Sequence, residues 1–158
     1  MTSTQVLLFA FLMGVFAGLR SLTAPAAVAW AAQLGWLKVS SPLAWLGSVA
    51  AVVVITLLAV AELVSDKLPK TPSRTAPLGL CARIVTGALC GAALCLARTQ
   101  QSWIVGAIVG AIGGIAACFG GYQLRTRLVK ALGTPDYVVA LVEDLVAIGG
   151  SFWVVSRF

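Results

Sequence analysis

Six apolar runs take up most of this chain, and their lengths constrain its fold more than any other feature. They are Val6–Leu19, Leu22–Leu37, Leu43–Val64, Leu78–Ala97, Ser102–Phe119 and Tyr137–Val155. Crossing a hydrocarbon slab about 30 Å thick takes about 20 helical residues, within a working range of roughly 17–25. The third to sixth runs meet that requirement. The first is short unless it extends through Thr4 and Gln5. The second is short, opens with Thr-Ala-Pro and carries Gln33, so it reads either as a tilted span or as a re-entrant helix. Strand-period alternation is missing, which argues against a β-barrel. The expected fold class is all-α: a polytopic helical membrane protein with five to six transmembrane or re-entrant segments, built as one domain over residues 1–158.

Composition agrees with that reading. Charged residues are 10% of the chain and hydrophobic residues 60%, against roughly 25% charged in soluble domains. Mean hydropathy is +1.01. The net charge of +6 is not a nucleic-acid signal, because the basic residues fall in the connecting segments. The positive-inside bias and lipid phosphates account for them there. Membrane lipid is the expected partner. The opening Met-Thr-Ser-Thr-Gln has no basic stretch, so the first run reads as an uncleaved span. Cys81, Cys90, Cys95 and Cys118 come without a Cys-x-x-Cys pair or any histidine. They read as small packing residues and not as a metal site.

Two connections stand out. Residues 66–77 hold three prolines among alternating polar residues, which predicts an irregular loop with Pro69 and Pro72 as structural positions. This linker, about 67–78, separates a first half of about 5–67 from a second of about 79–157. In the second connection Leu124, Leu128 and Leu132 recur at helical spacing, with Arg125, Arg127 and Lys130 turned elsewhere. This predicts a short basic amphipathic helix, separated from the fifth run at Gly120 and Gly121 and ended by Gly133 and Pro135. Glycines also recur at spacing four: Gly14 and Gly18, Gly87 and Gly91, then Gly106, Gly110 and Gly114. Such stripes let helices approach closely in lipid, within one chain or across the seam of an expected homodimer.

The halves echo one another. Phe16-Ala-Gly18-Leu-Arg20-Ser resembles Phe119-Gly120-Gly121-Tyr-Gln-Leu-Arg125-Thr, and each is followed by a short segment and then by a long apolar helix with clustered carboxylates. If the second run is re-entrant, the first and fifth segments run in opposite directions and so do the third and sixth, as in the inverted repeats of many transporters. If it spans, that simple inversion fails. Basic residues divide seven against four across the membrane for five spans and eight against three for six. The six-span arrangement is read with both termini cytoplasmic, and both arrangements put the Pro-rich loop and the basic helix on that face.

All five acidic residues lie in two clusters, in or at the end of apolar helices: Glu62 and Asp66, then Asp136, Glu143 and Asp144. A charged carboxylate in hydrocarbon costs about 2.5–3.5 kcal/mol even on the lenient insertion scale. Glu62 and Asp66 are four apart and share a helix face. Paired carboxylates suit either a hard cation or a proton relay. Glu143 and Asp144 lie about 100° apart on the wheel and roughly 10–12 Å into their helix, so they point in different directions. Asp136 follows Thr-Pro and belongs in the first helical turn, where its charge favours the dipole. Arg20, Arg83 and Arg125 are the candidate counter-charges. Ser21, Thr23, Thr71, Ser73 and Thr75 are weaker hydroxyl candidates. With no histidine, no Gly-x-Ser-x-Gly and no P-loop, no enzyme is expected.

The leading expectation is a transporter or channel-like permease. A cation or proton would engage Glu62, Asp66, Glu143 and Asp144 from the two halves, and any cofactor would be a bound cation. One alternative is a lipid- or anion-handling protein with Arg74, Arg83 and Arg125 around a phosphate. Another is a non-transporting assembly subunit.

Three stretches carry a resemblance. Gly-Leu-Arg-Ser-Leu-Thr-Ala-Pro-Ala (18–26), Ser-Asp-Lys-Leu-Pro-Lys-Thr-Pro-Ser-Arg-Thr (65–75) and Gly-Thr-Pro-Asp with Ala-Leu-Val-Glu-Asp-Leu-Val-Ala-Ile-Gly-Gly (within 133–150) resemble the bacterial membrane family catalogued as domain of unknown function 4126. The resemblance implies a multi-pass protein of the bacterial inner membrane and carries no activity. Glu62-Leu-Val-Ser-Asp66-Lys67 is also loosely similar to the Glu-x-Gly-Asp-Lys motifs of small exchangers of manganese, calcium and protons. It has one extra residue, and Glu143-Asp144 lacks the basic residue, so that similarity is architectural.

Overall fold

The structure is a computed structural model that describes residues 1–66, 76–98, 102–133 and 135–158. Lys67, Pro69, Lys70, Thr71, Pro72, Ser73, Arg74 and Thr75 lie outside the described residues. Six α-helices follow one another: α1 Ser3–Leu19, α2 Thr23–Gln33, α3 Val49–Ser65, α4 Pro77–Leu96, α5 Trp103–Leu132 and α6 Asp136–Val155. There is no strand among the described residues.

Local chemistry sets the helix ends. Thr2 and Gln5 form a reciprocal capping box at the start of α1. The Ser48 hydroxyl accepts from Ala51 N at 3.1 Å and starts α3. Pro77 occupies the first turn of α4, where its missing N–H costs nothing. Gly133, at φ +60°, closes α5 in the left-handed conformation that glycine adopts without strain.

Two sequence expectations are corrected. The third run is not one helix from Leu43, because Ala44–Gly47 form a 3-10 turn and α3 begins only at Val49. The fifth run does not end at Gly120–Gly121. α5 continues through both glycines for 30 residues, so the basic segment is its last third and not a separate helix. The residues beyond the glycine pair are strong helix formers, and their propensity outweighs a local cost of about 1 kcal/mol per glycine.

The helices form a bundle whose two ends differ. At the terminal end, Arg98 Nη2 lies 3.6 Å from Met1 Sδ and donates to Phe158 O at 3.2 Å. Ser40 Oγ donates to Leu96 O at 3.3 Å at the same end. At the opposite, charged end, Arg20 meets Asp66 and Asp144. The second run traverses the bundle between these ends. Leu22 N donates to Glu62 at the charged end, whereas Leu37 is buried in one cluster with Leu94 and lines a cavity with Arg98 and Phe158. It is helical for only 11 residues, about 16 Å, after which the chain turns at Gly35 and Leu37 N donates back to Ala31 O at 3.1 Å. The re-entrant alternative does not hold.

Six traverses fix the directions. α1 and α5 run parallel, with Gly14 against Gly110 and Gly18 against Gly114. The Phe16–Ser21 and Phe119–Thr126 stretches therefore do not mark an inversion. α3 and α6 do run in opposite directions. The expectation that both termini share the basic face is also corrected. With Met1 and Phe158 O at the terminal end, Arg20, Arg83 and Arg125 lie at the opposite, charged end, while Lys38 and Arg98 share the terminal end.

The glycine stripes are spent inside the chain. A Cβ on Gly87 would lie 2.7 Å from Gly110 O, and one on Gly18 would lie 2.5 Å from Gly114 O. Backbone meets backbone along α1, α4 and α5, as small-residue packing in lipid requires. α6 packs on α1 and α2, and α3 packs on α2. The outward faces are apolar, including Val53, Leu57 and Val64 on α3 and Leu141 and Leu145 on α6. α4, α5 and α6 are each long and apolar enough to cross a membrane, while α1 and α3 are shorter apolar helices of 17 residues. The protein is a helical membrane protein.

Candidate functional site

The sequence at the end of α1 directs Arg20 inward. Its backbone leaves the helix in an extended conformation, at φ −140° and ψ 114°, while its N–H still bonds Phe16 O. The side chain is fully buried and reaches carboxylates from both halves of the chain. Nε donates to Asp144 Oδ1 at 2.5 Å, and Nη1 donates to Asp66 Oδ2. The Asp66 side chain is 17% exposed and the Asp144 side chain 8%. Asp66 caps the C-terminus of α3. Asp144 sits within the apolar length of α6.

The next two residues engage Glu62. Ser21 N and Oγ donate to Glu62 Oε1 at 2.8 and 2.6 Å, and Leu22 N donates to Oε2 at 2.8 Å. Both oxygens of this carboxylate therefore serve the start of α2, where unpaired N–H groups and the helix dipole favour a negative charge. Glu62 and Asp66 share a helix face as expected, and both grip the Arg20–Leu22 turn.

Arg83, also buried, donates from Nε to Gly18 O and from Nη1 to Gly79 O, both at 3.0 Å. It ties the last turn of α1 to the start of α4. Arg125 forms a separate centre. Its Nε donates to Asp136 Oδ1 at 2.7 Å, Nη2 to Asp136 Oδ2, and Nη1 to Glu143 Oε2 at 3.3 Å. Asp136 occupies the first turn of α6 as expected, and its side chain is 64% exposed.

Glu143 and Asp144 turn to different arginines, in keeping with their separation on the wheel. The expectation that all four carboxylates gather around one ion is not met among the described residues. No three Asp, Glu, Cys or His side chains there lie close enough to hold a metal ion. The reason is geometric: a guanidinium stands between Asp66 and Asp144, Glu62 is engaged by α2, and Glu143 faces Arg125. The donor set does not fit a carboxylate-caged cation.

Sequence reasoning missed Ser151. Its hydroxyl is fully buried in α6, and neither it nor that of Thr23 has a hydrogen-bond partner among the described residues. A lone serine in an apolar run gives no signal in sequence. Gly18, Gly120 and Gly121, expected as structural, differ in use. Gly18 packs against α5, whereas a Cβ on Gly120 would meet nothing within 4 Å.

Comparison with curated proteins and with solved structures returned no match. The family model of Domain of unknown function (DUF4126) matches residues 7–156, and the chain belongs to that family.

Proposed function

We propose that the protein is a small, proton-coupled membrane permease whose working element is the Arg20 bridge between Asp66 and Asp144. One observation carries this reading: a single fully buried guanidinium is held by carboxylates from both halves of the chain. Buried ion pairs contribute little net stability compared with well-packed apolar residues of similar volume. Ionisable groups at membrane depth mark ion pathways and proton relays by default. Asp144 is eight residues into α6, about 12 Å from its start.

The chemistry is simple. A proton on Asp144 weakens the attraction that holds Arg20 to α6, while the Asp66 pair remains. The contact between the end of α1 and the middle of α6 loosens, while Glu62 keeps α2 and α3 together. Loss of the proton restores the bridge. Because α3 and α6 run in opposite directions, their carboxylates reach Arg20 from opposite senses, which supports a degenerate inverted relation between these two helices. By the positive-inside rule the charged end faces the cytoplasm, as expected for a bacterial inner-membrane protein. The anion-binding alternative is less well supported. Arg83 is engaged with backbone carbonyls and Arg125 with carboxylates, and Arg74 lies outside the described residues.

Proteoliposomes loaded with a pH-sensitive dye test the reading under an imposed membrane potential. Asp144→Asn should abolish protein-dependent proton flux, and Glu143→Gln should retain most of it. Wild-type flux in Asp144→Asn would remove the assignment.

A further inference from the structure

At the terminal end, a cavity of about 300 Å³ opens between the connection after α2 and the end of α4, lined in part by Trp36, Leu37, Lys38, Arg98 and Phe158. We propose that this cavity binds the phosphate of an anionic phospholipid headgroup, with Lys38 and Arg98 as its cationic ligands. The site is separate from the Arg20 bridge and does not depend on the permease reading.

The aromatic side chains locate the cavity relative to the bilayer. Trp36, Trp45, Trp103 and Trp153 are all exposed and lie toward the terminal end, while the exposed Tyr122 and Tyr137 lie toward the charged end. Amphipathic rings collect at the two membrane–water interfaces. Trp103 and Tyr122 are 19 residues apart on α5, or about 28 Å, close to the roughly 30 Å of a hydrocarbon core. Asp144 then lies about 10 Å inside the Tyr137 level. α4 and α5 run antiparallel, with Gly91 against Gly106. On that register Arg98 stands four residues, about 6 Å, outside the Trp103 level. This is the depth of the headgroup layer, which adds roughly 5–8 Å on each side of the core.

The lining suits a phosphate. Gly35, at φ +79°, turns the chain after α2, and the Ser40 bond to Leu96 O holds the connection against α4. Lys38 is exposed and makes no hydrogen bond among the described residues. Arg98 uses Nη2 on Phe158 O and Met1 Sδ, and its guanidinium stacks 5.5 Å over the Phe158 ring. Its Nε and Nη1 have no protein acceptor among the described residues, and no acidic side chain lines the cavity. Two cations beside an indole at headgroup depth match a lipid phosphate whose acyl chains descend along the apolar outer faces.

Native mass spectrometry of the full chain tests this, using dioleoylphosphatidylglycerol, dioleoylglycerol and inorganic phosphate as probes. The wild type should retain phosphatidylglycerol well above the uncharged diacylglycerol. Lys38→Gln should weaken that retention about fivefold, with a further loss of about the same size on adding Arg98→Gln. Lys38→Arg should keep it. A free-phosphate site would be revealed if inorganic phosphate displaced the lipid completely, and that would overturn the lipid assignment. Equal retention of diacylglycerol, or unchanged retention in Lys38→Gln, would overturn the site itself. Lys38 makes no described contact that the fold needs, so its variant reads binding and not folding.

Discussion

Arg20 and Arg125 each hold two carboxylates, yet one centre is sealed in the bundle and the other stands at its edge. Arg20 is fully buried between Asp66 and Asp144. Arg125 joins Glu143 to Asp136, whose side chain is 64% exposed. The same chemistry therefore has different consequences. Removing the sealed guanidinium takes the donor from Asp144, whose side chain is 8% exposed, and from Asp66, at 17%. Removing the outer one takes a donor from Asp136, which already meets water, and from Glu143, whose side chain is 12% exposed. The contrast shows that burial, more than pairing, separates a site from a surface tether.

Four substitutions test the contrast, each read by thermal unfolding in detergent. Arg20→Gln should cost most, about 3–5 kcal/mol, because it breaks a buried pair from one side. Asp144→Asn should cost about 1.5–3 kcal/mol, since it weakens a charge-assisted hydrogen bond but keeps the side-chain shape. Glu62→Gln should cost about 1–2 kcal/mol through the loss of charge at the start of α2. Arg125→Gln should cost least, about 1 kcal/mol, because Asp136 is open to water and the Glu143 bond, though largely covered, is long at 3.3 Å. Equal losses for the Arg20 and Arg125 variants would erase the distinction. A negligible loss for Glu62→Gln would mean that the Ser21 and Leu22 bonds do not hold α2 in place.

Much of this was readable in the sequence, and the failures have physical causes. The apolar lengths of α4 and α6 placed both helices within a residue or so, because lipid demands an unbroken helical backbone. The wheel angle between Glu143 and Asp144 foretold their divergence. Glycine was misread at Gly120–Gly121, where local propensity predicts a stop and the flanking Leu, Arg and Lys residues carry the helix through. The second run is ambiguous in sequence because a short helix can enter and return, or stop in a turn at the far end of the bundle. The place of Leu37 in one cavity with Arg98 and Phe158 decides that. The convergence of Asp66 and Asp144 on Arg20 depends on how α3 and α6 flank α1. No local pattern encodes that packing.

The central claim is that the buried bridge serves transport and not stability. Replacing it with apolar residues, as Arg20→Met with Asp66→Leu and Asp144→Leu, separates the two roles. Such exchanges of buried ion groups are often neutral or stabilising, so the triple variant should unfold near the wild-type temperature. In proteoliposomes under an imposed potential it should carry no protein-dependent proton flux. Flux at the wild-type rate from the folded triple variant would contradict the account.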